Sequence, residues 1–279
     1  MSAHSGGKRA KAAPRNKIWV AILALLTVLL LWSALRAEAV PAGQGIVPQA
    51  AYLDTSRPLY HYTDPTGDVI ARTGVDVSSY QGDVDWNAVR EAGAEFAIVR
   101  VGFRGYGTGR LVLDSSFRKN IEGARAAGLQ VGVYFFSQAV NEKEAIEEAS
   151  MCVQYVQGYQ VDMPIFIDLE DVWDPDDGSG GRANNLSVTQ RTSVARAFCD
   201  TVRGAGYKAG IYASYYYLLD RMHIGQLEGD NYIWMASYAD STSYPRSHDM
   251  WQYTDNGRVP GITTWDGRAA SVDMNVWYE

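Results

Sequence analysis

The sequence has few of the residues that build metal, redox and disulfide sites. Its 279 residues include two cysteines and four histidines, and His61, His223 and His248 lack the HExxH or HxxxH spacing of a zinc site. The glycine-rich run at 105–109 has neither GxGxxG spacing nor a Walker lysine. These absences exclude a disulfide-stapled mini-protein, and we expect neither a metal nor another cofactor.

Basic residues are scarce outside the N-terminus. The net charge is -7, but residues 1–36 carry six Lys/Arg and no acid, which leaves a net charge of -13 for the rest. Phosphate binding needs clustered Lys/Arg, so this acidic body argues against nucleic acid as a partner. We expect a monomer.

The N-terminus has the pattern of a membrane signal. A basic segment at 1–17 precedes an apolar run at 18–35, which as a helix would be about 27 Å long and nearly span a bilayer. The positive-inside rule places 1–17 in the cytoplasm and the rest outside. We predict a retained transmembrane anchor; the alternative is a signal peptide cleaved at the small-x-small sequence 37–39, giving a secreted protein. Residues 36–71 contain four prolines and are predicted to be a tether.

Residues 72–279 alternate between short apolar β-branched runs and helical patterns, which is typical of a parallel sheet covered by helices. The predicted strands are 73–77, 96–101, 130–136, 164–169, 208–213, 232–236, 249–253 and 270–274, and the predicted helices are 86–92, 115–127, 142–157 and 188–205. Eight strands in about 205 residues favour a closed barrel. Little helix separates the last three strands, so the barrel is predicted to be irregular.

The two cysteines, Cys152 and Cys199, each lie in a predicted helix among apolar residues. We expect two buried free thiols; a bridge between adjacent helices is the alternative, since export would permit it.

Acidic residues at predicted strand ends are the candidates for chemistry. Asp168 and Glu170 end an apolar strand, and residues two apart on a strand share a face. Asp76 ends the first strand and Asp273 lies near the end of the last one, and these two strands are neighbours in a closed barrel. All four carboxyl groups could therefore meet at one mouth, as glycoside hydrolysis requires.

Aromatic residues at or near strand ends would suit a sugar ligand, because sugar C–H faces stack on aromatic rings. The candidates are Tyr134, Tyr212 and Trp251, whereas Phe136 and Trp234 could equally be core residues.

Several segments, taken in order, resemble glycoside hydrolase family 25, the lysozymes also called N-acetylmuramidases. They are GVDVSSYQGDVDW (74–86), IVRVGFRGYG (98–107), VGVYFFSQA (131–139), PIFIDLED (164–171), AGIYAS (209–214), YIWMASY (232–238), MWQYT (250–254) and VDMNVW (272–277). The resemblance implies a (β/α)5β3 barrel and cleavage of the β-1,4 bond between N-acetylmuramic acid and N-acetylglucosamine in the peptidoglycan glycan strand. One departure is VYFFS, where many members have a histidine after the tyrosine.

The resemblance also implies roles for the four acids. Glu170 matches the family's catalytic acid/base, Asp168 the carboxylate that assists the attacking group, Asp76 the first-strand acid and Asp273 the last-strand acid. Tyr134, Tyr212 and Trp251 match substrate-lining aromatics.

Two questions stay open from sequence. Asp168 or Asp76 could act as the nucleophile or as the stabilising anion, or the substrate's own N-acetyl carbonyl could attack with Asp168 orienting it. A catalytically silent wall-binding module, or a hydrolase of another N-acetylglucosamine-containing glycan such as chitin, would share much of this pattern.

Overall fold

The computed structural model describes residues 71–174, 178–239, 241–263, 268 and 270–278, together with the backbone of two short strands, β1 (Tyr52–Asp54) and β2 (His61–Thr63). The predicted cytoplasmic segment 1–17 and transmembrane anchor 18–35 lie outside these residues. None of the helices within the described ranges has the length and apolar character needed to cross a membrane.

Part of the predicted tether has regular structure. Strands β1 and β2 pair antiparallel, with Leu53 opposite Tyr62. The segment 36–71 therefore contains a small hairpin before the main domain.

Eight strands close into a barrel, as predicted. In chain order they are β3 (Ala71–Val77), β4 (Phe96–Arg104), β6 (Gln130–Ser137), β7 (Ile165–Leu169), β8 (Ala209–Ser214), β9 (Tyr232–Ala236), β10 (Met250–Gly257) and β11 (Val272–Tyr278). Pairings from β3 through β10 are parallel, and β11 closes the ring by pairing antiparallel with both β10 and β3. A ninth strand, β5 (Leu111–Leu113), extends β4 as a hairpin.

Five helices follow the first five barrel strands. They are α1 (Trp86–Glu91), α2 (Phe117–Ala126), α3 (Glu142–Val156), α4 (Val188–Gly204) and the short α5 (Tyr215–Asp220). Short 3₁₀ helices span Ser79–Gln81 and Ile224–Gln226. Asn141 caps α3, and Ser187 caps α4 in a reciprocal pair with Gln190. No α-helix follows β9 or β10 in the part of the chain described, in keeping with the expected (β/α)5β3 order.

The alternation of side chains along each strand divides the core into two layers. On β7, Ile165 and Ile167 point outward and pack with the helices, whereas Phe166 points inward. Phe96, Phe166 and Trp234 fill the inner layer. The polar Asp168 continues the inward face toward the carboxyl end of the strand, so the barrel is apolar below and polar at its mouth.

Both cysteines are buried free thiols, as expected: Cys152 on α3 and Cys199 on α4. Burial raises the pKa of Cys199 to about 12 and that of Cys152 well above its usual range, so neither thiol is activated.

Candidate active site

Asp76 and Asp273 face each other across the seam that closes the barrel. They are direct partners in the antiparallel register of β3 and β11. Both line a cavity of about 180 Å³ at the carboxyl ends of the parallel strands. The closed topology thus brings together two acids from opposite ends of the domain, as the sequence suggested.

Asp168 and Glu170 reach the same cavity from β7 and the residue just beyond it. Glu170 is only half-buried and also lines an adjoining cavity of about 380 Å³ that extends past Tyr212 to Tyr238. Asp168 is 5% exposed, and its Oδ1 has no hydrogen-bond partner among the described residues. An unpaired buried oxygen of this kind is costly unless a ligand satisfies it.

Burial raises the pKa of all four carboxyl groups, and the charge of a neighbouring acid adds to this rise in Asp168, Glu170 and Asp273. Burial, then the charge of Asp76, raises the pKa of Asp273 to about 9. Burial and the charges of Glu170 and Asp76 raise the pKa of Asp168 well above its ordinary value. Burial also raises the pKa of Glu170, and the charge of Asp76 adds to this rise. The site therefore retains protons near neutral pH, as general acid catalysis requires.

Two carboxamide side chains donate hydrogen bonds to Asp76. The sequence reasoning did not identify them. Gln252 Nε2 and Asn275 Nδ2 both donate to Asp76 Oδ2, at 3.0 and 2.7 Å. Burial raises the pKa of Asp76, and these two hydrogen bonds act in the opposite direction. Both residues lie in the recognised WQY and VDMN segments, but amides there give no distinctive sequence signal.

The carboxamide oxygens of Gln252 and Asn275 also accept hydrogen bonds. Tyr212 and Tyr238 hydroxyls donate to Gln252 Oε1 at 2.8 and 3.1 Å. The indole Nε1 of Trp234 donates to Asn275 Oδ1 at 2.9 Å. A continuous network thus runs from three aromatic side chains to one carboxylate oxygen.

Arg100 is a third residue of the cavity that the sequence reasoning did not identify. It brings a positive charge to the smaller cavity, and its Nε donates to buried Asp114 Oδ2 at 2.7 Å. Its guanidinium lies 5.1 Å from the ring centroid of Tyr80, which is 84% exposed at the cavity rim. A charged residue inside the apolar run of β4 was the available signal.

The predicted substrate-lining aromatics divide into two groups. Tyr134 and Tyr212 line the cavity. Trp251 does not, and this prediction is corrected: its side chain is 1% exposed, packs in the outer layer and donates to the Ser237 carbonyl at 2.8 Å. Neighbouring residues on a strand face opposite sides, so Gln252 points inward because Trp251 points outward. Trp234, left open between core and site, lines the cavity floor.

Gln138 holds the loop that carries Glu170. This fully buried amide donates through Nε2 to the Glu170 carbonyl at 3.4 Å, and its Oε1 accepts from the Ala183 amide at 3.4 Å. It therefore joins the ends of β6 and β7 to the loop before α4.

The fold agrees with comparisons to known proteins. The sequence model of "Glycosyl hydrolases family 25" matches residues 75–262. The chain is 28% identical over 191 residues to the autolytic lysozyme of Clostridium acetobutylicum, covering 68% of this chain and 52% of that protein. It is 26% identical over 247 residues to lysozyme M1 of Streptomyces globisporus, covering 80% and 78%. This chain thus matches about half the length of the clostridial relative.

Solved structures show the same fold. The modular autolysin LytC from Streptococcus pneumoniae superposes with a TM-score of 0.64 at 23% identity, covering 82% of this chain and 52% of that one. LytC has also been solved in complex with a synthetic peptidoglycan ligand. A family 25 glycosyl hydrolase from Bacillus anthracis superposes with a TM-score of 0.61 at 24% identity, covering 78% and 93%.

Proposed function

Because the chain belongs to glycosyl hydrolase family 25, we propose that it is a muramidase that hydrolyses the β-1,4 bond between N-acetylmuramic acid and N-acetylglucosamine in peptidoglycan. The observation that carries the proposal is the convergence of Asp76, Asp168, Glu170 and Asp273 on one cavity. Both named lysozyme relatives support the same assignment.

Glu170 is the general acid in this proposal. It is half-buried and is the one member of the acid cluster that borders both cavities, so its carboxyl group lies where a bound sugar can take up a proton. A raised pKa favours the protonated form of its carboxyl group, the form that can protonate the leaving glycosidic oxygen. The glycan strand lies along the two cavities, with the exposed Tyr80 and Tyr238 rings as stacking surfaces at either end.

Asp168 has the position of the residue that orients the attacking group. Its unpaired Oδ1 is a buried polar atom beside Glu170, and the acetamido group of the substrate could satisfy it. This supports substrate-assisted attack by the N-acetyl carbonyl, with Asp168 orienting it, over direct attack by a carboxylate. Asp76 and Asp273 then provide negative charge and a reserve proton near the oxocarbenium-like centre.

The test is release of reducing ends from purified peptidoglycan, with chitin as the alternative substrate and mass spectrometry of the products. Glu170→Gln should lower kcat by about 10²–10⁴-fold while leaving the unfolding curve unchanged. Glu91→Gln, on an exposed position of α1, is the matched control and should retain full activity. Full activity in Glu170→Gln would remove Glu170 from the catalytic role, and cleavage of chitin alone would refute the substrate.

We also propose that the chain is a monomer held on the outer face of the cytoplasmic membrane by residues 18–35. The basic residues before this apolar run support the orientation, because cytoplasmic flanks carry an excess of Lys and Arg. Fractionation of cells expressing the full chain should recover it in the membrane, with the barrel digested by external protease in spheroplasts. Recovery in the medium with a new N-terminus near 37–39 would instead establish cleavage.

A further inference from the structure

We infer that Gln252 and Asn275 are positioning residues that make Asp76 the ionised carboxylate of the acid cluster, because both amides present only N–H groups to it. Each donates to the same oxygen, Asp76 Oδ2, at 3.0 and 2.7 Å. The catalytic consequence rests on the proposed function, whereas the protonation state of Asp76 can be measured without it.

The orientation of Asn275 is fixed by its other partner. An indole N–H can only donate, so Trp234 Nε1 at 2.9 Å requires the carboxamide oxygen of Asn275 on its side. The Asn275 NH₂ group must then face Asp76. Trp234 and Asn275 are both almost fully buried, so water does not compete for either bond.

Gln252 is oriented in the same way. Its Oε1 accepts from two tyrosine hydroxyls, Tyr212 and Tyr238, which leaves Nε2 for Asp76. Turning this amide over would place its oxygen against a carboxylate oxygen and lose both tyrosine donors. Every hydrogen-bond donor of this network is therefore directed toward Asp76.

Among the other groups that face Asp76, Asp273 also forms a hydrogen bond that lowers the pKa of Asp76, and this bond acts in the same direction as those of the two amides. The acids are Asp273 on β11, Asp168 on β7 and Glu170 just beyond it, and the remaining titratable groups are Arg100 on β4, Tyr134 on β6, Tyr212 on β8 and Tyr238 after β9. The Arg100 guanidinium is bound to Asp114. Four adjacent acids cannot all be ionised, and the negative charge settles where neutral donors converge. The protons then remain on Asp273, Asp168 and Glu170, the last of which needs one for catalysis.

The pH dependence of kcat/KM on peptidoglycan separates this role from a merely structural one. Gln252→Met keeps the side-chain length but removes one donor to a charged group, which should move the acid limb to higher pH by about one to two units. In Gln252→Glu, a protonated carboxyl can still donate to Asp76, so activity should persist at acid pH and fall as the new group ionises. The control is Asn231→Asp, a buried amide at the opposite end of the barrel, which should leave both limbs in place.

The ionisation of Asp76 can also be measured directly, by carboxyl ¹³C NMR on aspartate-labelled full-length protein, with the resonance assigned from Asp76→Asn. In the wild type Asp76 should titrate below Asp273 and Asp168, and in Gln252→Met its midpoint should rise by about one unit or more. Trp234→Phe, which frees the Asn275 amide, should give a rise in the same direction and serves if Gln252→Met fails to fold. An unchanged Asp76 midpoint in the folded variants, or wild-type Asp76 titrating above Asp273, overturns the inference; a wild type without muramidase activity overturns only the proposed function.

Discussion

Replacing Asp249 with asparagine should remove a pH-dependent loss of folding stability. Asp249 lies just before β10, at the end of the barrel opposite the acid cluster, and is 5% exposed. Its Oδ2 accepts one hydrogen bond, from the Ile233 amide at 2.8 Å. Burial outweighs this bond and raises the pKa of Asp249 from 3.8 to about 6.

The shift sets the size and the sign of the effect. Two pKa units at 1.36 kcal/mol each give about 3 kcal/mol. Because the folded pKa is the higher one, the unfolded chain releases this proton first. The contribution of protonated Asp249 to the free energy of unfolding is complete below about pH 4 and is lost as the pH rises through 6. Asparagine keeps the acceptor for Ile233 and never ionises, although its extra N–H group lowers the absolute gain.

The assay is urea unfolding of wild type and Asp249→Asn between pH 4 and 7. The free energy of unfolding of the variant, minus that of the wild type, should rise by about 3 kcal/mol over this range, since every other acid cancels in the difference. Asp230→Asn, at an exposed position nearby, is the control for the substitution itself. Parallel curves for Asp249→Asn would refute the assignment of a buried, destabilising carboxylate.

Two further predictions concern side chains away from the acids. Trp251→Phe should lower the free energy of unfolding by about 1–3 kcal/mol, through the lost bond to the Ser237 carbonyl and lost packing, with KM for peptidoglycan unchanged; a raised KM at full stability would return Trp251 to the binding site. The thiols of Cys152 and Cys199 should resist a thiol reagent in the native protein and react, two per chain, in denaturant; rapid native reaction would contradict their burial.

Much of the fold was predictable because local patterns encode it. The two-residue spacing of Asp168 and Glu170 predicted a shared face, and both line the cavity. Gly93, Gly128 and Gly206 lie just after α1, α2 and α4 and have positive φ values of 110°, 81° and 88°, a conformation that favours glycine at helix ends. The acids at strand ends were also readable, since the carboxyl ends of parallel strands meet at one mouth.

The surroundings of those acids depended on the tertiary structure. Strand β10 is buried on both faces, so its sequence MWQYT does not reveal which side Trp251 takes. Closure by the antiparallel β11 decides this, and it brings Gln252 and Asn275 to Asp76 across 176 and 199 positions of chain. The sequence determined which strands form and which of them end in acidic residues. The closed barrel determined which neutral side chains surround those acids, and thereby which of the acids keeps its proton. The reason is that hydrogen bonds and burial depend on contacts that local sequence patterns do not specify.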